Sequence, residues 1–288
     1  MNREFLNTLK WVLTVMAYAY LVYKLTSYDR YDLVAANLRA MGGAQWLALG
    51  VCTLLMPLNM LIEAWRWQTL MPMPLAEAQR QVYYSRLAAI VTPWHLGEYP
   101  ARGLVMNDGE KQMDKVLSMG AVGSATMTAA ILILGMVGLF FHPSFLHRLG
   151  DSYLYALTGT AAVIGICIYF APKWLHRWAQ INGALLMKSV LQSAVRVLCW
   201  CVQLALTLYA LQAVAPDDIA TPSVWLQLPI YYLLVTITPN IPVVEAGVRG
   251  AWAIFLFGTP NAALAGVLLW AINTFLPCLC WLIVRKRT

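Results

Sequence analysis

Six apolar segments, each close to the length needed to cross a bilayer, recur along this chain of 288 residues. A helix needs roughly 20 apolar residues to cross about 30 Å of hydrocarbon. Charged residues make up only 11% of the chain, against about 25% in soluble domains. The sequence therefore predicts an all-α polytopic membrane protein with no separate water-soluble catalytic domain. The predicted spans are residues 5–25, 45–63, 115–141, 152–171, 190–214 and 262–284.

Two further apolar regions, residues 81–106 and 224–257, contain helix-breaking residues. The pieces on either side of each break are too short to span a bilayer, and proline disrupts the helix locally. Broken backbone at membrane depth is tolerated only where it is buried in protein or lines a wet cavity. We therefore expect both regions to form re-entrant helical hairpins. The helix-breaking elements are Pro93, Gly97, Pro239 and Pro242.

Lysine and arginine are distributed unevenly along this topology. With both termini inside and both hairpins re-entrant, the cytoplasmic segments hold 14 of the 20 basic residues and the outside segments hold 4. Such a bias is typical of cytoplasmic loops, so the sequence predicts that both termini are cytoplasmic. The net charge of +7 is thus interpreted as a topology signal, and nucleic acid is not expected as a partner.

The two broken regions share one ordered motif: a tyrosine pair, a Thr-Pro pair, and a glutamate four residues before an Arg-Gly pair. In the predicted topology the first hairpin opens from the cytoplasm and the second from outside. The sequence therefore predicts an inverted 3+3-type repeat within one transmembrane domain, residues 1–288, with repeats 1–141 and 142–288. The matching positions are Tyr83-Tyr84, Thr92-Pro93, Glu98, Arg102-Gly103 and Tyr231-Tyr232, Thr238-Pro239, Glu245, Arg249-Gly250.

Several ionisable residues fall within these apolar regions, where a central charge costs at least about 2.5–3.5 kcal/mol. Arginine can present paired donors to a phosphate, so the basic residues are candidate headgroup contacts, and the acidic residues and histidine are candidates for gating or proton coupling. Glu63 and Arg66 are expected at the cytoplasmic end of the second span. The candidate headgroup contacts are Arg86, Arg102, Arg196 and Arg249, and the gating candidates are Glu98, Glu245 and His95.

Structural interpretations of the same residues stay open. Each hairpin glutamate lies four residues before its arginine, so an intrahelical ion pair could simply stabilise the broken helix. Arg196 lies near the start of its span and could extend to the cytoplasmic face. His95 could be an ordinary hydrogen-bonded histidine rather than a proton relay or metal ligand.

Cysteine spacing gives no indication of a metal centre. All six cysteines lie within apolar segments, and the two Cys-x-Cys pairs point their thiols to different helix faces. Neither a Cys-x-x-Cys pattern nor paired histidines accompany them. We expect no metal and no other cofactor.

Three loose motifs resemble a known family: Arg66-Trp67, Pro93-x-x-x-Gly97-Glu98 followed by Arg102, and Pro239-x-x-Pro242 leading to Glu245. On the basis of these motifs, nearly the whole chain resembles the transmembrane flippase-domain family of lysylphosphatidylglycerol synthases. The resemblance is to a stand-alone member that lacks the aminoacyl-transferase domain. The sequence departs from the family pattern at Val243-Val244, where a glycine pair is usual.

The resemblance implies a lipid translocase in the bacterial cytoplasmic (inner) membrane. Its lipid would be an anionic or aminoacylated phospholipid, or a polyprenyl-phosphate-linked or hopanoid lipid. We expect a flippase that moves a phosphate-containing headgroup through an arginine-lined cavity at the repeat interface. An intramembrane lipid-modifying transferase and an accessory subunit of a lipid or glycolipid biosynthesis complex are the alternatives. A homo-oligomer and an association with a synthase partner are both compatible with the flippase interpretation.

Overall fold

The structure, a computed structural model of the chain, describes residues 31–92, 95, 97–106, 109–142, 182–238 and 245–284. All regular secondary structure in these ranges is helical, which confirms the predicted all-α class for this part of the chain. The helices are α1 (Tyr31–Ala40), α2 (Gly43–Leu70), α3 (Leu75–Val91), α4 (Glu98–Leu104), α5 (Gly109–Phe141), α6 (Gly183–Ala210), α7 (Pro216–Ile219), α8 (Pro222–Ile237), α9 (Glu245–Phe257) and α10 (Pro260–Val284).

Four of these helices, α2, α5, α6 and α10, are long and apolar enough to cross a membrane. They contain most of each of the four predicted spans that fall on described residues, and all four predictions are confirmed at this level. Predicted spans 5–25 and 152–171 lie outside the described residues. Helices α2 and α6 are longer than predicted, since α2 continues to Leu70 and α6 begins at Gly183.

The outward faces of the long helices are apolar. Along α2, Leu47, Leu54, Leu58 and Leu61 recur at helical spacing and are all exposed. A contiguous apolar surface of this kind is unfavourable in water and is suited to contact with lipid. The long helices therefore have the outer face that a membrane-spanning helix requires.

Each of the two duplicated regions forms a helix, a break and a second helix. The first broken segment comprises α3 and α4, and the second comprises α8 and α9. Helix α3 ends just before Thr92, whose Oγ1 donates to the Ala88 carbonyl at 2.8 Å. Helix α8 ends just before Thr238, whose Oγ1 donates to the Leu234 carbonyl at 2.7 Å. The two matching threonines thus close their helices in the same way.

Gly97 is required at the first break by close packing. Its N–H donates to Thr92 Oγ1 at 2.9 Å, and a Cβ placed on it would lie 2.8 Å from the Thr92 methyl carbon. A larger residue would therefore push the start of α4 away from the end of α3. The other three predicted break elements, Pro93, Pro239 and Pro242, lie outside the described residues.

The longest packing contact joins α2 to α6, and these two helices run antiparallel. Gln203 Nε2 donates to the Cys52 carbonyl at 3.1 Å, whereas Gln192 Nε2 donates to Thr69 Oγ1 at 3.0 Å. Residue numbers along α6 thus fall as those along α2 rise. This pair makes the most extensive helix–helix contact among the described residues.

Most of the remaining contacts occur in matching pairs. Helix α3 packs on α10, the last helix of the other half, and α8 packs on α5. Helix α4 packs on α5 as α9 packs on α10, and α2 contacts α3 as α6 contacts α8. Exchanging the two halves therefore maps each of these contacts onto another observed contact.

Matching contacts are built from different side chains. On α5, Gly135 and Gly138 face α8, where a Cβ on Gly138 would lie 2.6 Å from the Leu226 carbonyl oxygen. At the corresponding contact, Tyr84 of α3 packs edge-on against Trp281 of α10, with ring centroids 5.2 Å apart. Glycine thus brings two backbones together on one side, and an aromatic pair fills the gap on the other.

Candidate functional site

A cavity of about 280 Å³ lies among α2, α3, α4, α5, α6, α8, α9 and α10. It brings together six of the seven residues that the sequence singled out as headgroup contacts or gating groups. It also includes Arg66, which the sequence placed at the end of a span. The arginines, glutamates and histidine that line it are Arg66, Arg86, His95, Glu98, Arg196, Glu245 and Arg249.

Glu63 is the centre of the ionic cluster behind the cavity wall. Its carboxylate is fully buried and accepts hydrogen bonds from three arginines. Arg66 donates to both of its oxygens, at 3.0 and 2.9 Å. Arg102 donates to Oε1 at 2.7 Å, and Arg196 donates to Oε2 at 2.6 Å. A single carboxylate therefore joins α2, α4 and α6.

Arg66 donates hydrogen bonds to residues of α2, α5 and α6. Besides Glu63, it donates to the Gly123 carbonyl and to the hydroxyls of Thr126 and Ser193, both at 3.3 Å. Its paired contact with Glu63 uses two parallel donors, the strongest geometry available to this pair. Arg66 therefore acts as part of the framework that fixes Glu63.

Arg102 lies behind the cavity rather than on its lining. It is fully buried, and its guanidinium carbon lies 4.6 Å from the Trp67 ring centroid and 4.8 Å from that of Tyr99. It also donates to Glu98 at 2.6 Å, which is the intrahelical pair expected from the spacing. Cation–π contacts and two carboxylates thus hold this arginine in place.

The Glu63 cluster and the Glu98 contacts form one ionic network, called here the first network, of Glu63, Glu98, Arg66, Arg86, Arg102 and Arg196. Arg86 is its least constrained arginine. Its contact with Glu98 is 3.4 Å long, and Glu98 makes the shorter bond to Arg102. Arg86 Nε has no hydrogen-bond partner among the described residues although it is buried. Arg86 therefore lines the cavity with a longer carboxylate contact than Arg66, Arg102 or Arg196 makes.

Arg196 lies inside the bundle instead of extending to its edge. It is only 4% exposed, and its guanidinium lies 4.9 Å from the Trp200 ring centroid. Besides its bond to Glu63, its Nε donates to Asn59 Oδ1 at 2.8 Å. The structure therefore differs from the interpretation in which Arg196 extends to the membrane surface.

A chain of hydrogen-bonded amides continues from Arg196 into the bundle. Asn59 donates to Asn273 at 3.3 Å, and Asn273 donates to Gln203 at 3.0 Å. Because the amide nitrogen of Asn59 is used in this way, its oxygen faces Arg196. The sequence analysis missed these three residues and the role of Glu63. Amide side chains within three apolar spans were the available signal.

The second network lies on the other side of the cavity and belongs to α9. Arg249 donates to Glu245 Oε1 through Nε and Nη2, at 3.0 and 2.9 Å, so this intrahelical pair also forms. His95 Nε2 lies 3.4 Å from Glu245 Oε2. His95 comes from the first break and Glu245 from the second, so this contact joins the two broken segments.

His95 is positioned for this contact by its backbone. Its φ of 56° lies in the left-handed region, which costs a non-glycine residue about 1–2 kcal/mol. Its Nδ1 lies 3.0 Å from the Ala89 carbonyl, which can only accept, so Nδ1 carries a proton. The Nε2 atom is therefore left to face Glu245, and a proton can be held between these two groups.

The charges do not balance within the two networks. Glu245 offsets Arg249 in the second network. The first network contains four arginines and two glutamates, which leaves two positive charges in excess. Glu63 makes its paired contact with Arg66, and Glu98 makes its short contact with Arg102. We assign the excess to Arg86, whose contact with Glu98 is 3.4 Å long, and to Arg196, which shares Glu63 with Arg66 and Arg102. Both line the cavity.

The cavity is lined by apolar as well as charged groups. Met60, Met127 and Leu269 contribute aliphatic side chains, and Trp200 and Trp270 contribute aromatic rings. A binding site usually combines an apolar lining with a few well-placed polar groups. This cavity can therefore hold a ligand that carries both negative charge and an apolar portion.

Glu63 and its three arginine partners, the Glu98 contacts and the His95–Glu245 contact together define the candidate site. The resemblance to the lysylphosphatidylglycerol synthase family stays a prediction. A scan against protein-family models matched no family, and a search of curated proteins found no similar sequence.

Proposed function

We propose that this chain is a lipid translocase that moves a phosphate-containing headgroup between the two leaflets of a membrane. The observation that carries the proposal is the excess of arginine in a cavity lined by four membrane-length helices and the two broken segments. Buried positive charge that exceeds the negative charge of its carboxylate partners is unfavourable. An anionic ligand would supply the missing negative charge, and arginine is well suited to phosphate.

A lipid accounts for the lining better than a small free anion does. A free anion needs only polar contacts, whereas this cavity adds several large apolar side chains to its arginines. The headgroup phosphate would lie against Arg86, Arg196 and Arg249, and the adjoining apolar part would contact the methionines and tryptophans. The acyl or prenyl chains would remain in the bilayer.

The internal symmetry supports transport by alternating access. We propose that the halves are inverted repeats, because α2 and α6 hold equivalent places in the two halves and run antiparallel. The paired contacts of α3 with α10 and of α8 with α5 support the same relation. Inverted repeats with sites between them are typical of alternating-access transporters.

In this mechanism, the two broken segments form the gates. In the empty site Glu98 pairs with Arg86 and Arg102, and Glu245 pairs with Arg249 and His95. An arriving phosphate competes for Arg86 and Arg249, which weakens the pairing on each segment. Separation of His95 from Glu245 would then part the segments and open a path for the headgroup.

The finer topology belongs to the same proposal. Six spans, two re-entrant hairpins and two cytoplasmic termini would place one broken segment in each leaflet. A location in the bacterial inner membrane would follow from the family resemblance. Cysteine labelling from each side of sealed vesicles tests the positions of the termini and loops.

A headgroup-accessibility assay tests the function directly. The purified chain is reconstituted into vesicles containing acyl-labelled phospholipids with anionic or zwitterionic headgroups, and a membrane-impermeant quencher reports the lipid in the outer leaflet. We expect transfer of anionic lipid well above that in protein-free vesicles. Replacing Arg86 and Arg249 by glutamine should slow it about tenfold or more, because two charge-assisted contacts are lost.

A matched double variant, Arg39→Gln with Arg80→Gln, removes the same charge from outside the cavity and should transfer lipid at the unaltered rate. Equal rates in wild type and in the cavity variant would contradict the proposed role of the arginines. Formation of a new lipid product without a change of leaflet would instead favour the transferase.

A further inference from the structure

We propose that the headgroup carried by this site has two negative charges on one phosphate, as in a phosphomonoester, rather than one, as in a phosphodiester. The inference rests on the proposed function for the lipid nature of the ligand, and on Arg86 and Arg196 for its charge. It concerns which class of lipid the cavity selects.

The first step identifies the arginine with which each glutamate of the first network pairs most closely. Each glutamate in it has one best-matched arginine: Glu63 bonds Arg66 through both oxygens, and Glu98 bonds Arg102 at 2.6 Å within one helix. Arg196 shares an oxygen of Glu63 that Arg66 already uses. Arg86 reaches Glu98 only at 3.4 Å.

The second step is the position of the two arginines in excess. Arg86 lies on α3 and Arg196 on α6, and both line the same cavity. Arg196 is oriented by Asn59 on one side and by Trp200 on the other. Two cations from different helices thus face one space, which suits a compact group with several acceptor oxygens.

The third step compares the charge left after binding. A phosphodiester with one negative charge would leave the first network with one net positive charge inside the bundle, which is unfavourable. A phosphomonoester carries nearly two negative charges at neutral pH and would balance both. A proton shared by His95 and Glu245 would add one more positive charge on the far side, which favours the dianion further.

This charge class disfavours an aminoacylated phospholipid, whose added ammonium would enter a cavity that already has excess positive charge. It favours lipids that end in a phosphate, such as phosphatidic acid or a polyprenyl monophosphate. The shared chemistry is the dianionic phosphate, and inorganic phosphate would present it without the lipid.

Binding tests this inference independently of transport. The detergent-solubilised full chain is titrated at pH 8.5 with phosphatidic acid and with phosphatidylmethanol, which has the same acyl chains but a singly charged diester. We expect phosphatidic acid to bind about tenfold or more tightly. Arg86→Gln removes one excess charge and should reduce this ratio toward one. Arg80→Gln, on the same helix and outside the cavity, should keep it.

A wild-type ratio within about twofold of one would overturn the dianion inference, and the transfer assay would still decide the proposed function separately. A high ratio that Arg86→Gln and Arg80→Gln both retain would overturn the assignment to Arg86. If inorganic phosphate displaced phosphatidic acid at equal concentration, the site would be one for the free anion, and the proposed lipid function would fail instead.

Discussion

The Glu63→Gln substitution offers the most direct test of the ionic cluster. Glu63 accepts four charge-assisted hydrogen bonds, two from Arg66 and one each from Arg102 and Arg196. At roughly 1.5–3 kcal/mol each, independent bonds would sum to about 6–12 kcal/mol. These bonds share one carboxylate, and Arg102 keeps Glu98 as a partner. We therefore expect the loss to be closer to 3–5 kcal/mol, the usual cost of removing one partner of a buried ion pair.

Equilibrium unfolding in mixed micelles with increasing fractions of a denaturing detergent measures this quantity, with tryptophan fluorescence as the signal. Glu77→Gln is the matched control, because Glu77 is 26% exposed and its contact with Arg80 is 3.4 Å long. We expect that change to cost less than about 1 kcal/mol. If Glu63→Gln lowered the free energy of unfolding by no more than the control, the carboxylate would not organise the cluster as described.

Two further substitutions test the helix contacts by the same unfolding measurement. Gly138→Ala should lower the free energy of unfolding by about 1–3 kcal/mol, because its new Cβ would meet the Leu226 carbonyl oxygen. Gly50→Ala, with open space around it, should be neutral or slightly stabilising. Equal effects of the two substitutions would refute the close contact. Thr92→Val should cost about 1–2 kcal/mol because it removes bonds to both sides of the first break. Thr53→Val loses only a bond within α2, so a cost as large as that of Thr92→Val would contradict the role assigned to the break.

The sequence predicted features that depend on neighbouring residues. Span length and apolarity are local properties, so the four long helices in the described residues were predictable. The Glu-x-x-x-Arg spacing predicted an ion pair on each broken segment, and both pairs form. Proline alone would have been a poor guide, because Pro57 and Pro277 lie inside continuous helices.

Long-range partners were not predictable from one sequence. Glu63 and Arg66 interrupted the apolar pattern and therefore marked the end of a predicted span, yet α2 continues to Leu70. The helix tolerates these charges because Glu63 meets Arg102 and Arg196, which are distant in the chain. The same limitation explains Arg102, whose burial against Trp67 depends on how α4 packs on α2.

The difference between the two matching helix contacts has a mechanical consequence. Where Gly135 and Gly138 face α8, the surface of α5 lacks Cβ atoms that could lock into the opposite helix. There the Leu233 side chain and the Leu226 carbonyl lie close against the α5 backbone. At the corresponding place the Tyr84 and Trp281 rings meet edge-on. Packed helices commonly rearrange by small shear motions, and we expect the two sides to resist such motion by different contacts: close backbone approach at α8 and ring packing at α3.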